Sequence, residues 1–284
     1  MKIAISAEST CDLSKELIER YNVQIIPYTI TLDQKSIRDG DMTTEEILDY
    51  VKQTGVLPKT AAINEYEYKE YFSKLKEEFD AVVHVSLSSG ITTSTASAKQ
   101  AATQLENVYV VDSLALSSGI GLLVRYGAIL AESGCAPKEI YEKLEERKKH
   151  LQVSFVIERL DYLYKGGRCN SLQYFGANLL KLRPRIVMKE GKMHSDDKFR
   201  GAMGRVVEKY CASVLSDFPT PDLDCVFITY TTATEEMVAA ARAACENAGF
   251  KNIYETHAGG TVASHCGEHT LGILYFNDGN NVAQ

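Results

Sequence analysis

The first half of the chain alternates between two patterns of apolar and polar positions, short apolar runs and amphipathic stretches. Short apolar runs predict buried strands at residues 2–6, 23–32, 81–87 and 107–112. Amphipathic stretches predict helices at residues 13–21, 44–53, 65–79 and 117–132. Two helix starts have the spacing of a capping box, Thr43 with Glu46 and Asn64 with Glu67. Strands that alternate with helices predict a parallel sheet with crossover helices.

The pattern changes near residue 150. A helix is expected from Pro137 to about His150, and residues 184–189 and 192–198 have the pattern of a hairpin. The remaining elements are expected to be strands at 153–158, 225–230, 253–256 and 271–276 and helices at 203–215 and 234–247. A chain of 284 residues is long enough for two domains. We predict an α/β fold of two domains, a Rossmann-like domain with a parallel sheet (residues 1–150) and a domain with a mixed sheet (residues 151–284).

A hydroxyl-rich segment follows the predicted strand at 81–87. Eight Ser and Thr side chains lie between Ser86 and Ser97, and the segment then continues as a helix. Free N–H groups at a helix N-terminus attract anions, and hydroxyls add donors without adding charge. This combination suits a small anionic head such as a carboxylate or a phosphate. Helix caps and turns also favour Ser and Thr, so a purely structural role is the alternative.

Composition narrows the class of protein. The net charge of -7 argues against a nucleic-acid-binding protein. Seven scattered cysteines with no Cys-x-x-Cys pair indicate reduced thiols, and no apolar run reaches the roughly 18 residues of a membrane span. The first residues do not resemble a signal peptide. We therefore expect a cytoplasmic protein.

Two further segments carry candidate chemistry. Gly166-Gly167 ends a predicted helix and places Arg168 on a short tether, where its guanidinium could bind an anion. A helix cap with a solvated Arg168 is the alternative. His265 and His269 lie in a segment predicted to be a Gly-rich loop, whose spacing does not favour a metal site. A His265 that forms a hydrogen bond beside a ligand head is the preferred interpretation. Signatures of an α/β-hydrolase, a Walker A nucleotide site and a dinucleotide site are absent from the sequence.

Taken in order, these segments resemble the DegV family of bacterial fatty-acid-binding proteins over essentially the whole chain. The most specific match is Leu163-Tyr164-Lys165-Gly166-Gly167-Arg168. The other matching segments are Ala7-Glu8-Ser9-Thr10-Cys11-Asp12-Leu13, Ile26-Pro27-Tyr28, Asp39-Gly40, Leu57-Pro58-Lys59-Thr60, Ser88-Ser89-Gly90-Ile91-Thr92-Thr93-Ser94, Val110-Val111-Asp112-Ser113, Leu179-Leu180-Lys181-Leu182-Arg183-Pro184 and His265-Cys266-Gly267.

The resemblance implies that one long-chain fatty acid is bound between the two domains. Its carboxylate would be held by Thr60, Thr92, Thr93 and loop N–H groups, with the tail buried. Arg168 and His265 would lie near the head. The resemblance further implies a protein that is not itself the catalyst. It would present the acid, in the cytoplasm, to a separate fatty acid kinase that supplies phospholipid synthesis. Neither a cofactor nor a metal is expected, and transient contact with a membrane surface is compatible with this role.

The chain departs from the family pattern at several positions. Ala61-Ala62-Ile63 replaces polar residues after Thr60, and Thr93 stands where the family has a glycine, whose positive φ a threonine adopts only at a cost. Glu8 replaces an aspartate, and His269 replaces a usual glycine. Two other classes of protein therefore stay open. One is an enzyme on this scaffold that acts on a small carboxylated or phosphorylated metabolite, and the other is a regulatory protein with a vestigial pocket.

Overall fold

The computed structural model describes residues 1–168 and 182–279. Part of the Leu179–Pro184 motif, and Cys169, lie outside these ranges. The strands up to residue 112 are β1 (Ile3–Glu8), β2 (Gln24–Ile26), β3 (Thr29–Leu32), β4 (Lys35–Arg38), β5 (Lys59–Ala61), β6 (Ala81–Ser86) and β7 (Val108–Asp112). The later strands are β8 (Leu151–Gln152), β9 (Ser154–Val156), β10 (Arg183–Lys189), β11 (Lys192–Phe199), β12 (Cys225–Tyr230), β13 (Asn252–His257) and β14 (Leu271–Phe276).

The helices mostly begin within a residue or two of their predicted starts. They are α1 (Lys15–Arg20), α2 (Thr44–Thr54), α3 (Glu65–Glu78), α4 (Ser94–Ala102), α5 (Ser118–Glu132), α6 (Pro137–Arg147), α7 (Leu160–Gly166), α8 (Met203–Asp217), α9 (Glu235–Ala248) and α10 (Gly260–Cys266). Both predicted capping boxes are present, at the starts of α2 and α3. None of the helices in the two described ranges is long and apolar enough to cross a bilayer.

The N-terminal region contains the predicted parallel sheet, in the strand order β2-β1-β6-β7. All six residues of β6 are buried, as expected for a strand in the middle of a covered parallel sheet. The predicted strand at 23–32 is wrong as a single element. It divides at Pro27, which has no N–H to continue a ladder, and β3 joins β4 and β5 in a separate antiparallel sheet.

The C-terminal region forms the predicted mixed sheet, in the order β11-β10-β9-β14-β12-β13, with β8 beside β14. Among the described strands of this sheet, β12 and β13 pair in parallel and the other pairs are antiparallel. The predicted hairpin is confirmed as β10–β11, and its turn residues Glu190 and Gly191 have φ values of 50° and 74°. The strand predicted at 153–158 is shorter than expected and ends at Val156. The division into two domains at residue 150 stays a prediction.

One helix was not predicted. The Gly-rich segment before β14 is a helix, α10, and not the expected loop. Gly260 allows this helix to pack closely, because a Cβ there would lie 2.3 Å from Ile47 Cδ1 and 2.8 Å from Ile30 Cδ1. Helix α10 also packs against α7, which ends in the Gly-Gly-Arg motif. It therefore holds His265 next to Arg168.

Candidate functional site

A cavity of about 510 Å³ lies where these loops and helices meet. All five predicted binding residues, Thr60, Thr92, Thr93, Arg168 and His265, are among its lining residues. They come from β5, the segment before α4, the segment after α7, and α10. The sequence prediction that these residues lie together agrees with the structure. Their role in binding stays a prediction.

The hydroxyls around Thr92 form a network at the start of α4. The Tyr28 hydroxyl donates to Ser94 Oγ at 2.9 Å, and the Thr92 hydroxyl donates to the same oxygen at 3.1 Å. The Ser94 N–H donates to Thr92 Oγ1 at 3.2 Å. Hydroxyl hydrogens rotate freely. Reversal of the Thr92–Ser94 bond would therefore free the Thr92 hydrogen for an acceptor in the cavity.

Thr93 has a relaxed backbone. Its φ and ψ are -90° and -8°, in the right-handed region. The expected conflict with a positive φ is therefore wrong, because the backbone here does not adopt a glycine conformation. Thr93 precedes α4, and its side chain makes no capping hydrogen bond.

Thr60 and His265 form the closest polar pair of the predicted set. Thr60 Oγ1 lies 2.8 Å from His265 Nε2, although the two residues are 205 positions apart. Burial, and secondarily the charge of Arg168, lowers the pKa of His265 to about 4. The imidazole is therefore neutral at pH 7.

The tautomer of His265 decides which way the Thr60 hydrogen points. His265 Nδ1 is buried and has no hydrogen-bond partner among the described residues. An unpartnered buried N–H is rarer than an unpartnered acceptor. This favours the tautomer in which Nε2 carries the hydrogen and donates it to Thr60 Oγ1. The Thr60 hydroxyl is then free to donate into the cavity.

The two glycines before Arg168 have different tasks. Gly167 ends α7 with a φ of 68°, which a glycine adopts without strain. Gly166 makes room for His265, since a Cβ there would lie 2.5 Å from His265 Nδ1. Arg168 Nη1 donates to the Gly166 carbonyl at 2.6 Å. The helix cap that sequence analysis gave as the alternative is therefore present, and Arg168 also lines the cavity. Its side chain is exposed.

Glu8 stabilises the strand end that carries the hydroxyl loop. Its buried carboxylate accepts hydrogen bonds from the Tyr68 hydroxyl at 2.6 Å, the Ser86 hydroxyl at 2.7 Å and the Leu87 N–H at 2.9 Å. His84 Nε2 lies 3.4 Å away. Burial alone would raise the pKa of the Glu8 carboxyl, but His84 and the hydroxyl donors outweigh it and lower the pKa. Sequence analysis placed Glu8 in a matching segment, as the replacement of an aspartate, but did not predict these contacts.

The β10–β11 hairpin supplies lining residues that sequence analysis missed. Ser88 Oγ donates to the Gly191 carbonyl at 2.7 Å, so the turn packs directly on the hydroxyl loop. This contact brings Lys192, Met193 and His194 into the cavity lining. Lys192 is a second cation, besides Arg168, in the lining of the cavity. The sequence predicted the hairpin itself, but it gave no signal that the hairpin packs on the hydroxyl loop.

Away from the polar side chains, the cavity is lined by Leu87, Ile91, Leu116, Leu163, Met193 and Val262. A smaller void of about 20 Å³ lies next to it and shares Leu116, Val262 and Cys266. Its lining includes five Ser and Thr residues, but each hydroxyl has a partner within the protein. These residues are Ser117, Ser154, Thr229, Thr231 and Thr270. Their polar atoms are therefore satisfied, and the void is suited to hydrocarbon.

His269, the second histidine of the pair considered for a metal, contacts the Glu158 carboxylate through Nδ1. His265 instead faces Thr60. Within residues 1–168 and 182–279, no group of three or more His, Cys, Asp and Glu side chains could hold a metal ion.

An α/β protein with a parallel sheet, a mixed sheet and an apolar cavity edged by hydroxyls and Arg168 is the architecture that the resemblance implied. The family model for the uncharacterised DegV family matches residues 2–278. The chain therefore belongs to the DegV family.

Individual members are similar along most of their length. A fatty acid-binding protein of Thermotoga maritima is 32% identical over 219 residues, which cover 74% of this chain and 76% of that protein. A solved structure showing the fatty acid binding of a DegV family protein from Thermus thermophilus has a TM-score of 0.89 and 27% identity, and covers 97% of this chain and 99% of that one. DegV of Bacillus subtilis, a fatty acid binding protein, has a TM-score of 0.85 and 26% identity, with coverage of 97% and 99%.

Proposed function

We propose that this protein binds one long-chain fatty acid in the 510 Å³ cavity. The observation that carries the proposal is the pairing of uncharged hydroxyl donors with an apolar interior in a single cavity. The fatty-acid-binding DegV proteins of Thermus thermophilus and Bacillus subtilis support it, because their fold matches 97% of this chain.

The carboxylate head is assigned to the hydroxyl side of the cavity. A buried carboxylate needs several hydrogen-bond donors, or its desolvation becomes very costly. Thr60, oriented by His265, and Thr92, at the start of α4, can each supply one. Thr93 and Arg168 also line the cavity. Hydrogen bonds to a charged acceptor are about twice as strong as neutral ones.

The tail is assigned to the leucine-rich side of the cavity and to the small void behind Leu116 and Val262. Each buried methylene contributes about 0.8 kcal/mol, so a long chain outweighs the cost of burying its head. An enzyme for a small polar metabolite would need a short, polar pocket. The apolar lining therefore favours the carrier over that enzyme.

We further propose that the protein is not itself a catalyst and needs no metal or cofactor. It would act in the cytoplasm and present the acid to a separate fatty acid kinase for phospholipid synthesis. Arg168 is exposed beside the cavity, and an external enzyme could therefore reach the head there. Transient contact with a membrane surface would allow loading.

The test is titration of lipid-stripped protein with hexadecanoic acid. We expect the wild type to bind with 1:1 stoichiometry and the double variant Thr60→Ala with Thr92→Ala to bind about a hundredfold more weakly, as expected for two lost charge-assisted hydrogen bonds. Thr31→Ala is the control, because its hydroxyl bonds Ser36 in an exposed hairpin away from the cavity. Absence of binding to the wild type, or equal binding by the double variant, would refute the proposal.

A further inference from the structure

Two threonines of the cavity wall have hydroxyls with no hydrogen-bond partner in residues 1–168 and 182–279. Thr10 Oγ1 and Thr261 Oγ1 are buried and make no hydrogen bond within the described part of the chain. Thr10 is 1% exposed and Thr261 5% exposed, and both line the main cavity. Native proteins rarely leave a buried hydroxyl unsatisfied, because its desolvation is then uncompensated. A polar group of a ligand inside the cavity would supply the missing hydrogen-bond partner for both hydroxyls.

These two residues lie on adjoining elements. Thr10 is in the middle of a single 3-10 turn, Ser9–Cys11, that follows β1. Thr261 is in the first turn of α10, which packs against that turn. The neighbouring hydroxyls are already committed, since Ser9 Oγ donates to Asp39 at 2.8 Å and Ser264 Oγ donates to the Gly260 carbonyl at 2.7 Å. Thr10 and Thr261 are the two that remain available.

The third unpartnered atom in the cavity lining is of another kind. His265 Nδ1 is turned to the backbone of Gly166, where a Cβ would lie only 2.5 Å away. No ligand atom fits into that contact. Among the described lining residues, the hydroxyls of Thr10 and Thr261 are thus the unpartnered groups left for a ligand.

We propose that Thr10 and Thr261 bind the ligand head directly, as donors to the second carboxylate oxygen, while Thr60 and Thr92 bind the first. This assignment rests on the proposed function. It makes the head site a ring of four threonines from four separate segments of the chain, with Arg168 outside it. Carboxylate oxygens accept about four hydrogen bonds in total, which such a ring would saturate.

The assignment predicts effects of opposite sign on stability and on affinity. In lipid-stripped protein, Thr10→Val or Thr261→Val removes an unsatisfied polar atom while keeping the shape, so the melting temperature is expected to stay equal or rise. Each variant is expected to bind hexadecanoic acid about five- to tenfold more weakly. Thr10→Ser and Thr261→Ser keep the hydroxyl and should retain most of the affinity.

Thr256→Val is the matched control. Thr256 is equally buried, but its hydroxyl lies 2.8 Å from Thr229 Oγ1 and it does not line the main cavity. This variant should lower the melting temperature and leave affinity unchanged. If Thr10→Val and Thr261→Val behave like this control, the assignment is overturned while fatty acid binding stands. If wild-type protein binds no acid at all, the proposed function itself fails, and the assignment fails with it.

Discussion

Gly166→Ala tests whether the position of His265 controls the head site. The new Cβ would lie 2.5 Å from His265 Nδ1, whereas ordinary contacts begin at 3.4 Å, so the ring must retreat by 3.4 − 2.5 = 0.9 Å. The bond between His265 Nε2 and Thr60 is 2.8 Å long. Nδ1 and Nε2 lie on nearly opposite sides of the imidazole, so a retreat of that size from Gly166 pushes Nε2 into Thr60. One of the two side chains must then rotate away, and Thr60 loses its orientation.

The expected magnitude follows from these contacts. Overpacking at a fitted site costs about 1–3 kcal/mol of unfolding free energy. Loss of one oriented donor weakens binding of the acid by about tenfold. Denaturant titration and calorimetric titration with hexadecanoic acid measure the two effects separately.

Gly55→Ala is the matched control, at the residue that ends α2. Nothing lies within 4 Å of a Cβ at Gly55, its φ of 71° strains an alanine, and Gly55 does not line the cavity. We expect a loss of about 1 kcal/mol in unfolding free energy with affinity unchanged. The reasoning would be refuted if Gly166→Ala bound the acid like the wild type, or if Gly55→Ala weakened binding as much.

Three other predictions concern single residues. Thr60→Val removes the donor at nearly constant shape and should weaken binding of hexadecanoic acid about tenfold or more. Binding of the uncharged alcohol hexadecanol should weaken much less. Equal losses for both ligands in competition titrations would contradict a carboxylate at Thr60. Because the pKa of His265 is lowered to about 4 from an ordinary value near 6.5, the unfolded chain binds more protons than the folded one between these values. Unfolding free energy should therefore fall as pH falls through this window, and His265→Gln should flatten the fall in denaturant titrations; an unchanged slope would show that His265 is not the group responsible. Ala258→Val fills the small void and should make affinity stop rising at a shorter acyl chain in a titration with saturated acids, where each methylene otherwise adds about fourfold; an unchanged limit would exclude the tail from the void.

The sequence predicted the elements with strong periodicity. The parallel strands, the capped helices α2 and α3 and the β10–β11 hairpin carry their signals locally, in apolar runs, capping boxes and turn residues. Helix α10 has no such signal, because it is only seven residues long and most of them are poor helix formers. Its sequence is Gly-Thr-Val-Ala-Ser-His-Cys. It is stabilised instead by packing against α2 and α7.

The same distinction applies to the site. Thr60, Thr92, Arg168 and His265 could be named from motifs, but the 2.8 Å contact between Thr60 and His265 joins segments 205 residues apart. The unsatisfied hydroxyl of Thr10 became evident only from the structure, in which no described residue forms a hydrogen bond with it. Long-range packing decides such relations, and no linear pattern encodes them.

The most direct test of the central claim is native mass spectrometry of the protein as purified from bacterial cells. The account predicts a mass excess equal to one long-chain fatty acid per chain, which denaturation releases and which hexadecanoic acid restores in stripped protein. A chain with no excess mass, which also takes up no acid when offered a series of chain lengths, would contradict the account.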